Sequence, residues 1–294
     1  MTLLAHAQPF GYSVRSEVDD RLYRINLATG AAEQLGATGF GKIEGLALNA
    51  AGELFGVHLT AAQPAQIVKC STTTGACTLV GSTTITSGSN AGLAFSASGQ
   101  LYLGMSSVVF TINTTSGAAT ALSTSSGLAI SGLASGAVTA QCASGVYALA
   151  GNADAGKFYC ANTTTGVLTL LGSLSGLTTT TAIDGGIDGD RTTGVVWGIT
   201  NPSDSNAPAQ IFYVVPETLA KSAFTPVTLS GVPIGGFESL AVEPSSAVVG
   251  PARIPTVSTY GLLAVGFGLC GFAYTALRRR EAELRAKQTR VTPR

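Results

Sequence analysis

The chain has 294 residues, of which 45% are hydrophobic and only 11% are charged, and it contains 37 glycines. The hydrophobic share excludes a disordered tail, although the charged share is about half the globular average of roughly 25%. Charge is unevenly distributed along the chain, because residues 1–277 contain nine basic and fourteen acidic side chains while residues 278–294 contain seven basic and two acidic ones. An acidic body lacks the basic face that nucleic acid requires, so we expect no nucleic-acid partner.

The first seven residues end in Ala5-His6-Ala7, which fits a small-x-small cleavage site before Gln8. A signal peptide also needs a basic start and an apolar run of about 7–15 residues, and seven positions cannot hold both. We therefore interpret residues 1–7 as the remnant of a signal peptide whose true start lies upstream; an accidental match to the cleavage pattern is the alternative.

Residues 8–243 repeat three short motifs. One motif ends in a Thr-Gly or Ser-Gly turn, and its clear copies end at Gly30, Gly75, Gly117 and Gly166. A Gly-Leu-Ala motif and then a Leu-Tyr-Gly motif follow, first at residues 44–48 and 54–57. The turn glycines are 45, 42 and 49 residues apart, which is the spacing of propeller blades made of four short strands.

Each repeat predicts four strands bounded by glycine or polar turns. The chain begins at Phe10–Val14 with the equivalent of a second strand and ends at Gly236–Val242 with the equivalent of a first strand. We therefore predict an all-β propeller of about five four-stranded blades, closed by both termini. A sixth blade within Ala118–Ser144 and a β-sandwich or β-helix are the alternatives. The pattern resembles secreted bacterial propellers of unknown function.

Four of the five cysteines lie within the repeats, and Cys270 lies in the apolar C-terminal segment. Cys70 and Cys77 flank a Thr-Gly turn, where facing hairpin residues are close enough for a disulfide. Cys142 and Cys160 then pair by elimination. A zinc pair is the alternative for the first two, but no histidine or further close cysteine pair completes its ligands. An even number of paired cysteines indicates an oxidising compartment.

Candidate chemistry is sparse, because the only histidines are His6 and His58. This nearly excludes hydrolytic triads and histidine metal clusters, so no catalytic residue is assigned. The strongest acidic cluster is Asp184, Asp188 and Asp190 on a glycine-rich loop. Carboxylate oxygens suit calcium, and an ordinary turn is the alternative. We expect no cofactor apart from this calcium.

Glu44 and Glu238 occupy equivalent positions before two Gly-Leu-Ala strands, and Asp184 lies two residues before the aligned glycine. If these strands line a central channel, carboxylates ring its mouth together with Asn90. Hydrogen bonding to neighbouring blades is the alternative role.

The C-terminal segment contains an uncharged run of eighteen residues, Tyr260–Leu277. As a helix this run is about 27 Å long, close to the ~30 Å hydrocarbon core. Three arginines follow and indicate a cytoplasmic C-terminus by the positive-inside rule: Arg278, Arg279 and Arg280. We predict a linker at residues 244–253, a transmembrane helix at 260–277 and a cytoplasmic basic tail at 281–294. A buried core helix is the alternative.

A short motif precedes this helix: Ile254, Pro255, Thr256 and Val257, then Tyr260 and Gly261. With the helix and the arginines, residues 254–280 resemble the IPTL-CTERM sorting signal of Gram-negative envelope proteins. Val257 and Tyr260 stand where that family has leucine and tryptophan. The resemblance implies a partner, an exosortase-like protease-transpeptidase of the membrane that removes the helix. Without it the segment is a plain membrane anchor.

Together these features predict an exported protein of the bacterial cell envelope, with its propeller outside the cytoplasmic membrane and its C-terminus cytoplasmic before any processing. We expect a non-enzymatic binding or structural module with an unknown surface ligand. The alternative is a metal-dependent propeller enzyme of the lactonase or lyase type, with its site in the channel.

Overall fold

The computed structural model describes residues 9–16, 18–60, 63–86, 88, 90–122, 126–178, 185–202 and 207–244, together with Arg280. The chain divides into two compact units, residues 1–247 and 248–294. The sorting motif, the predicted membrane helix and Arg278 and Arg279 lie outside the described residues. Arg280 is helical and exposed. Within the described ranges, no helix combines the length and hydropathy needed to span a bilayer.

The first unit is a propeller of five sheets, which we call blades. The chain opens with three strands of the last blade: β1 (Phe10–Val14), β2 (Arg21–Asn26) and β3 (Ala31–Ala37). Blade one is β4 (Ile43–Leu48), β5 (Leu54–Thr60), β6 (Gln63–Cys70) and β7 (Cys77–Thr86). Blade two is β8 (Ala91–Phe95), β9 (Leu101–Met105), β10 (Val108–Ile112) and β11 (Ala119–Ala121).

Blade three is β12 (Ile130–Ser135), β13 (Val146–Ala150), β14 (Lys157–Ala161) and β15 (Leu168–Ser173), with a 3-10 turn at Asn152–Asp154. Blade four is β16 (Ile187–Gly189), β17 (Val196–Ile199) and β18 (Gln210–Val215), and two short strands pair with β18: β19 (Ala220–Lys221) and β20 (Thr225–Pro226). The all-β, five-bladed prediction is confirmed. In the stretch at 118–144, the described residues 118–122 and 126–144 hold β11 and β12 rather than a sixth blade.

Blade five joins the two ends of the propeller. Strand β23 (Ala241–Val242) pairs antiparallel with β1, with Gly11 opposite Val242. The predicted closure by both termini is therefore confirmed. One addition was not predicted: β21 (Thr228–Leu229) runs parallel to the outer edge of β3, and β22 (Val232–Pro233) extends the sheet to six strands. This hairpin copies no repeat motif.

Hydrophobic packing lies between the blades, in five buried clusters with one at each blade–blade interface. At the interface of blades one and two, the rings of Phe55 and Phe95 meet edge to face with centroids 5.5 Å apart. Tyr23 and Phe237, both of blade five, lie in the cluster between blades four and five, with ring centroids 5.4 Å apart. Because apolar burial contributes about 25 cal/mol per Å², each blade is stabilised mainly by its neighbours.

The Thr-Gly motif forms the turn between the third and fourth strands. Gly75 has a φ of +78°, and a Cβ added there would lie 2.6 Å from the carbonyl oxygen of Gly36 in the preceding blade. The same holds for Gly117 against the carbonyl oxygen of Gly81, again at 2.6 Å. Since only glycine combines positive φ with such close approach, the repeat reflects backbone contact between blades.

Both predicted disulfides are present. Cys70 and Cys77 face each other at the end of the β6–β7 hairpin, and their sulfurs are bonded. Cys142, which precedes β13, is bonded to Cys160 of β14. Each bond closes a loop within one blade, so neither crosses a blade–blade interface.

Candidate functional site: the central channel

The innermost strands of the five blades line a narrow channel. A Cβ on Gly92 would lie 2.3 Å from the backbone nitrogen of Leu133, and one on Gly186 would lie 2.5 Å from that of Leu240. In the Gly-Leu-Ala motif, the glycine thus admits the neighbouring backbone while the leucine is buried. The cavity between the inner strands, lined by Glu44, Ser131 and Ser239 among glycine and aliphatic residues, leaves no interior volume for a water-sized molecule, whereas pockets for small ligands usually hold about 300–1,000 Å³.

Two buried carboxylates lie where adjacent inner strands begin, which is one mouth of the channel. The exposed fractions are 2% for Glu44 and 3% for Glu238. Lys42 Nζ lies 3.6 Å from Glu44 Oε1. Asn201 Nδ2 donates to Glu238 Oε1 at 3.3 Å, which joins blade four to blade five.

The structure thus brings Glu44 and Glu238 to the same end of the propeller, and Asn90 is also buried there, directly before β8. Asp184 lies outside the described residues. Asn201 was missed by sequence reasoning, since it lies in the β17–β18 connection, which carries no repeat motif. The contact between Asn201 and Glu238 matches the alternative role of these acids, hydrogen bonding between blades.

Asp188 is buried near the opposite end of the inner strands, with 3% of its surface exposed. Its Oδ1 accepts a hydrogen bond from Gly189 N at 2.8 Å, and its Oδ2 accepts one from Val242 N at 2.9 Å. Burial raises the pKa of Asp188 to about 7, against the lowering effect of these backbone bonds and of Arg191. Because Val242 belongs to β23, this carboxyl ties blade four to the strand that closes the ring.

Asp190 caps the turn that follows β16. Its Oδ1 accepts Thr192 N and its Oδ2 accepts the Thr193 hydroxyl, both at 2.9 Å. Arg191 then reaches Leu48 O of blade one at 2.7 Å, across the end of the channel, since blades four and one are not neighbours.

The two described acids of the predicted calcium loop bind different groups of the protein. Asp188 and Asp190 make the contacts just described, and Asp184 lies outside the described residues. The ranges that the structure covers contain no group of three His, Cys, Asp or Glu side chains placed to hold a metal ion. Calcium at this loop stays a prediction.

Comparisons with known proteins do not show a family for this chain. No family model and no curated protein matches the chain. Among solved structures it is similar to a chain of a nidogen/laminin complex, with a TM-score of 0.46 and 14% identity over 81% of this chain and 85% of that one. It is also similar to a candidate 6-phosphogluconolactonase from Bacteroides uniformis, at 0.44 and 13% over 76% and 84%. TolB from Acinetobacter baumannii matches at 0.43 and 14% over 80% and 54%.

Proposed function

We propose that this protein is an exported propeller of the cell envelope that binds or coats through its outer surfaces and catalyses no reaction. The observation that carries the proposal is the narrow channel. The channel cavity, lined mostly by glycine and aliphatic residues, leaves no interior volume for a water-sized molecule, whereas ordinary ligand pockets hold roughly 300–1,000 Å³. Recognition is then left to the two faces and the rim of the propeller.

Two observations support a location outside the cytoplasm. The bonds Cys70–Cys77 and Cys142–Cys160 are typical of oxidising compartments. The resemblance of residues 254–280 to a sorting signal points the same way, with an exosortase-like enzyme as the processing partner. On this proposal, calcium is not required for binding.

The alternative is a metal-dependent lactonase or lyase, and the buried carboxylates Glu44 and Glu238 favour it. The discriminating experiment adds calcium, manganese or zinc to the purified full chain in detergent and follows thermal unfolding and lactone hydrolysis. A metal at 100 times its dissociation constant stabilises a protein by about 2.7 kcal/mol. We expect no lactone hydrolysis. We also expect that any metal-induced rise in unfolding temperature is the same in Glu44→Gln, in Glu238→Gln and in the control variant Glu33→Gln, which changes an exposed residue. Hydrolysis lost in both channel variants but not in the control would replace the proposal with the enzyme.

The sorting proposal has its own test. We expect mature protein from native cells to end near Pro255-Thr256 and to lack the helix and basic tail. Replacing Pro255 and Thr256 should leave the full chain in the inner membrane. Mass spectrometry decides: a peptide reaching Arg294 in the exported pool would mean a plain anchor.

A further inference from the structure

The turns between third and fourth strands present two amides to solvent in a repeated geometry. In blade two, Asn113 Oδ1 accepts Thr115 N at 2.9 Å and Ser116 N at 3.0 Å. In blade three, Asn162 Oδ1 accepts Thr164 N at 2.9 Å and Thr165 N at 3.0 Å. Both asparagines are exposed, and within the described residues each Oδ1 is held by hydrogen bonds while each Nδ2 makes none.

The threonine two positions after each asparagine contributes only its backbone to the turn. Thr115 and Thr164 are exposed, and their hydroxyls make no hydrogen bond within the part of the chain that the structure describes. The fold therefore does not use these hydroxyls.

The same turn forms elsewhere in the chain without this pair of side chains. In blade one, Ser71 Oγ accepts Thr73 N and Thr74 N at 3.3 and 3.1 Å. In blade five, Asn26 Oδ1 accepts Ala28 N at 3.0 Å, with no hydroxyl at that position. The turn thus requires neither the asparagine amide nor the threonine hydroxyl. Turn formation therefore does not explain why both occur together at Asn113 and Asn162.

Asn followed two residues later by Thr, with no proline between, is the acceptor pattern for N-linked glycans. We propose that Asn113 and Asn162 are acceptor sites for N-linked oligosaccharide. Two backbone N–H groups on Oδ1 draw electron density from the carboxamide and make its N–H more acidic, while the threonine hydroxyl stays available to the transferase. The inference rests on the proposed location outside the cytoplasm, where the donor, an oligosaccharide on a polyprenyl diphosphate, is consumed.

The transfer is balanced as follows. The carboxamide nitrogen forms a bond to the anomeric carbon of the sugar, and the bond from that carbon to the diphosphate oxygen breaks. The polyprenyl diphosphate leaves with the electron pair, and the amide proton passes to a base of the transferase.

Strand direction places both sites on one face. Inner strands run from the mouth with Glu44 and Glu238 toward Asp188, and the turns between third and fourth strands lie at the latter end. Glycans at Asn113 and Asn162 would therefore cover that face at blades two and three and leave the carboxylate mouth open.

The test incubates the folded, oxidised full chain in detergent with solubilised N-oligosaccharyltransferase and polyprenyl-diphosphate oligosaccharide, followed by glycopeptide mass spectrometry. We expect transfer to Asn113 and Asn162 and none to Asn26. Asn113→Ser copies the Ser71 turn and Thr115→Ala copies the Asn26 turn, so both keep a turn that this fold already uses. Each should abolish transfer at residue 113 alone, whereas Thr114→Ala should not.

Absence of transfer to both asparagines in oxidised protein would overturn the proposal, as would transfer that survives Thr115→Ala. Peptides from native cells distinguish a failure of the acceptor-site proposal from a failure of the proposed location outside the cytoplasm. Transfer in the reconstituted reaction with unmodified Asn113 in native cells supports the acceptor turns and counts against the proposed location.

Discussion

Asp188 offers the sharpest test of how the ring is closed. Four blades have alanine at the position of Asp188 in the inner-strand motif: Ala47, Ala94, Ala134 and Ala241. Only blade four places a carboxyl there, and it accepts the N–H of Val242 at 2.9 Å. The group is buried, and its pKa is raised to about 7 from an ordinary 3.8.

The sign of the pH dependence follows from this shift. Between about pH 4 and about pH 7 the folded protein holds a proton on Asp188 that the unfolded chain releases, so the free energy of unfolding falls as pH rises. The slope contributed by one such group is at most about 1.4 kcal/mol per pH unit, and the total is about 4 kcal/mol. Above about pH 7 both states are ionised and the contribution levels off.

Asp188→Ala removes this slope but leaves Val242 N buried without an acceptor, at about 1–3 kcal/mol. We therefore expect the variant to be less stable than wild type near pH 4.5 and to equal or exceed it near pH 8, as charged Asp188 becomes costly. The exposed Glu33→Gln should keep the wild-type profile.

Urea unfolding of the oxidised protein across this pH range measures the effect. Fluorescence of the single tryptophan, Trp197, is a suitable probe because this residue pairs with Asp188 across β16 and β17. Parallel wild-type and Asp188→Ala stability curves from about pH 4.5 to about pH 8 would refute the reasoning.

Three further predictions concern a turn glycine, a disulfide and an ion pair. Gly75→Ala should cost several kcal/mol, because its Cβ would lie 2.6 Å from Gly36 O, whereas Gly99→Ala, at a φ of +83° with nothing within 4 Å, should cost only the conformational strain of about 1–2 kcal/mol; equal urea midpoints would contradict this. Replacing Cys142 and Cys160 with serine opens a loop with a sequence separation of 18 and should lower stability by about 3 kcal/mol in the chain-entropy model, measured by denaturation against the oxidised parent. Arg24 binds Glu243 through two hydrogen bonds of 2.9 Å. Burial raises the pKa of Glu243, but the hydrogen bonds from Arg24 and Tyr12 outweigh burial, so the pKa is lowered. Glu243→Gln should therefore reduce stability by about 1 kcal/mol near neutral pH and by less as pH falls through that lowered pKa, with proteolysis of the N-terminal strand as the readout.

The elements that could be predicted are those that recur. Local sequence pattern predicts the turn glycines, the inner Gly-Leu-Ala strands and the blade shared by the two ends of the propeller, because each copy of a motif repeats the same backbone requirement. Cys70 and Cys77 were predictable for the same reason, as they face each other across a local turn.

The features that escaped prediction depend on contacts between distant segments. The β21–β22 hairpin docks on β3 through backbone pairing, and Thr228 opposite Ala31 leaves no periodic signal in either segment. Arg191 meets Leu48 across 143 positions, and Asp188 meets Val242 across 54. Neither partner can be recognised without the closed ring, so the sequence does not reveal that Asp188 accepts a backbone N–H of the closing strand.

The channel mouth shows where this propeller departs from five-fold symmetry. At the position before the inner glycine or serine, the five blades carry Glu44, Ala91, Ser131, Gly185 and Glu238. The two acids fall in blades five and one, which are neighbours, and Asn201 of blade four contacts the second acid. A residue that all repeats share is explained by the contact that all blades make, whereas the buried acids of these two blades make contacts of their own, Glu44 with Lys42 and Glu238 with Asn201. The polar asymmetry of blades four, five and one therefore lies at the channel mouth, opposite the face that carries Asn113 and Asn162.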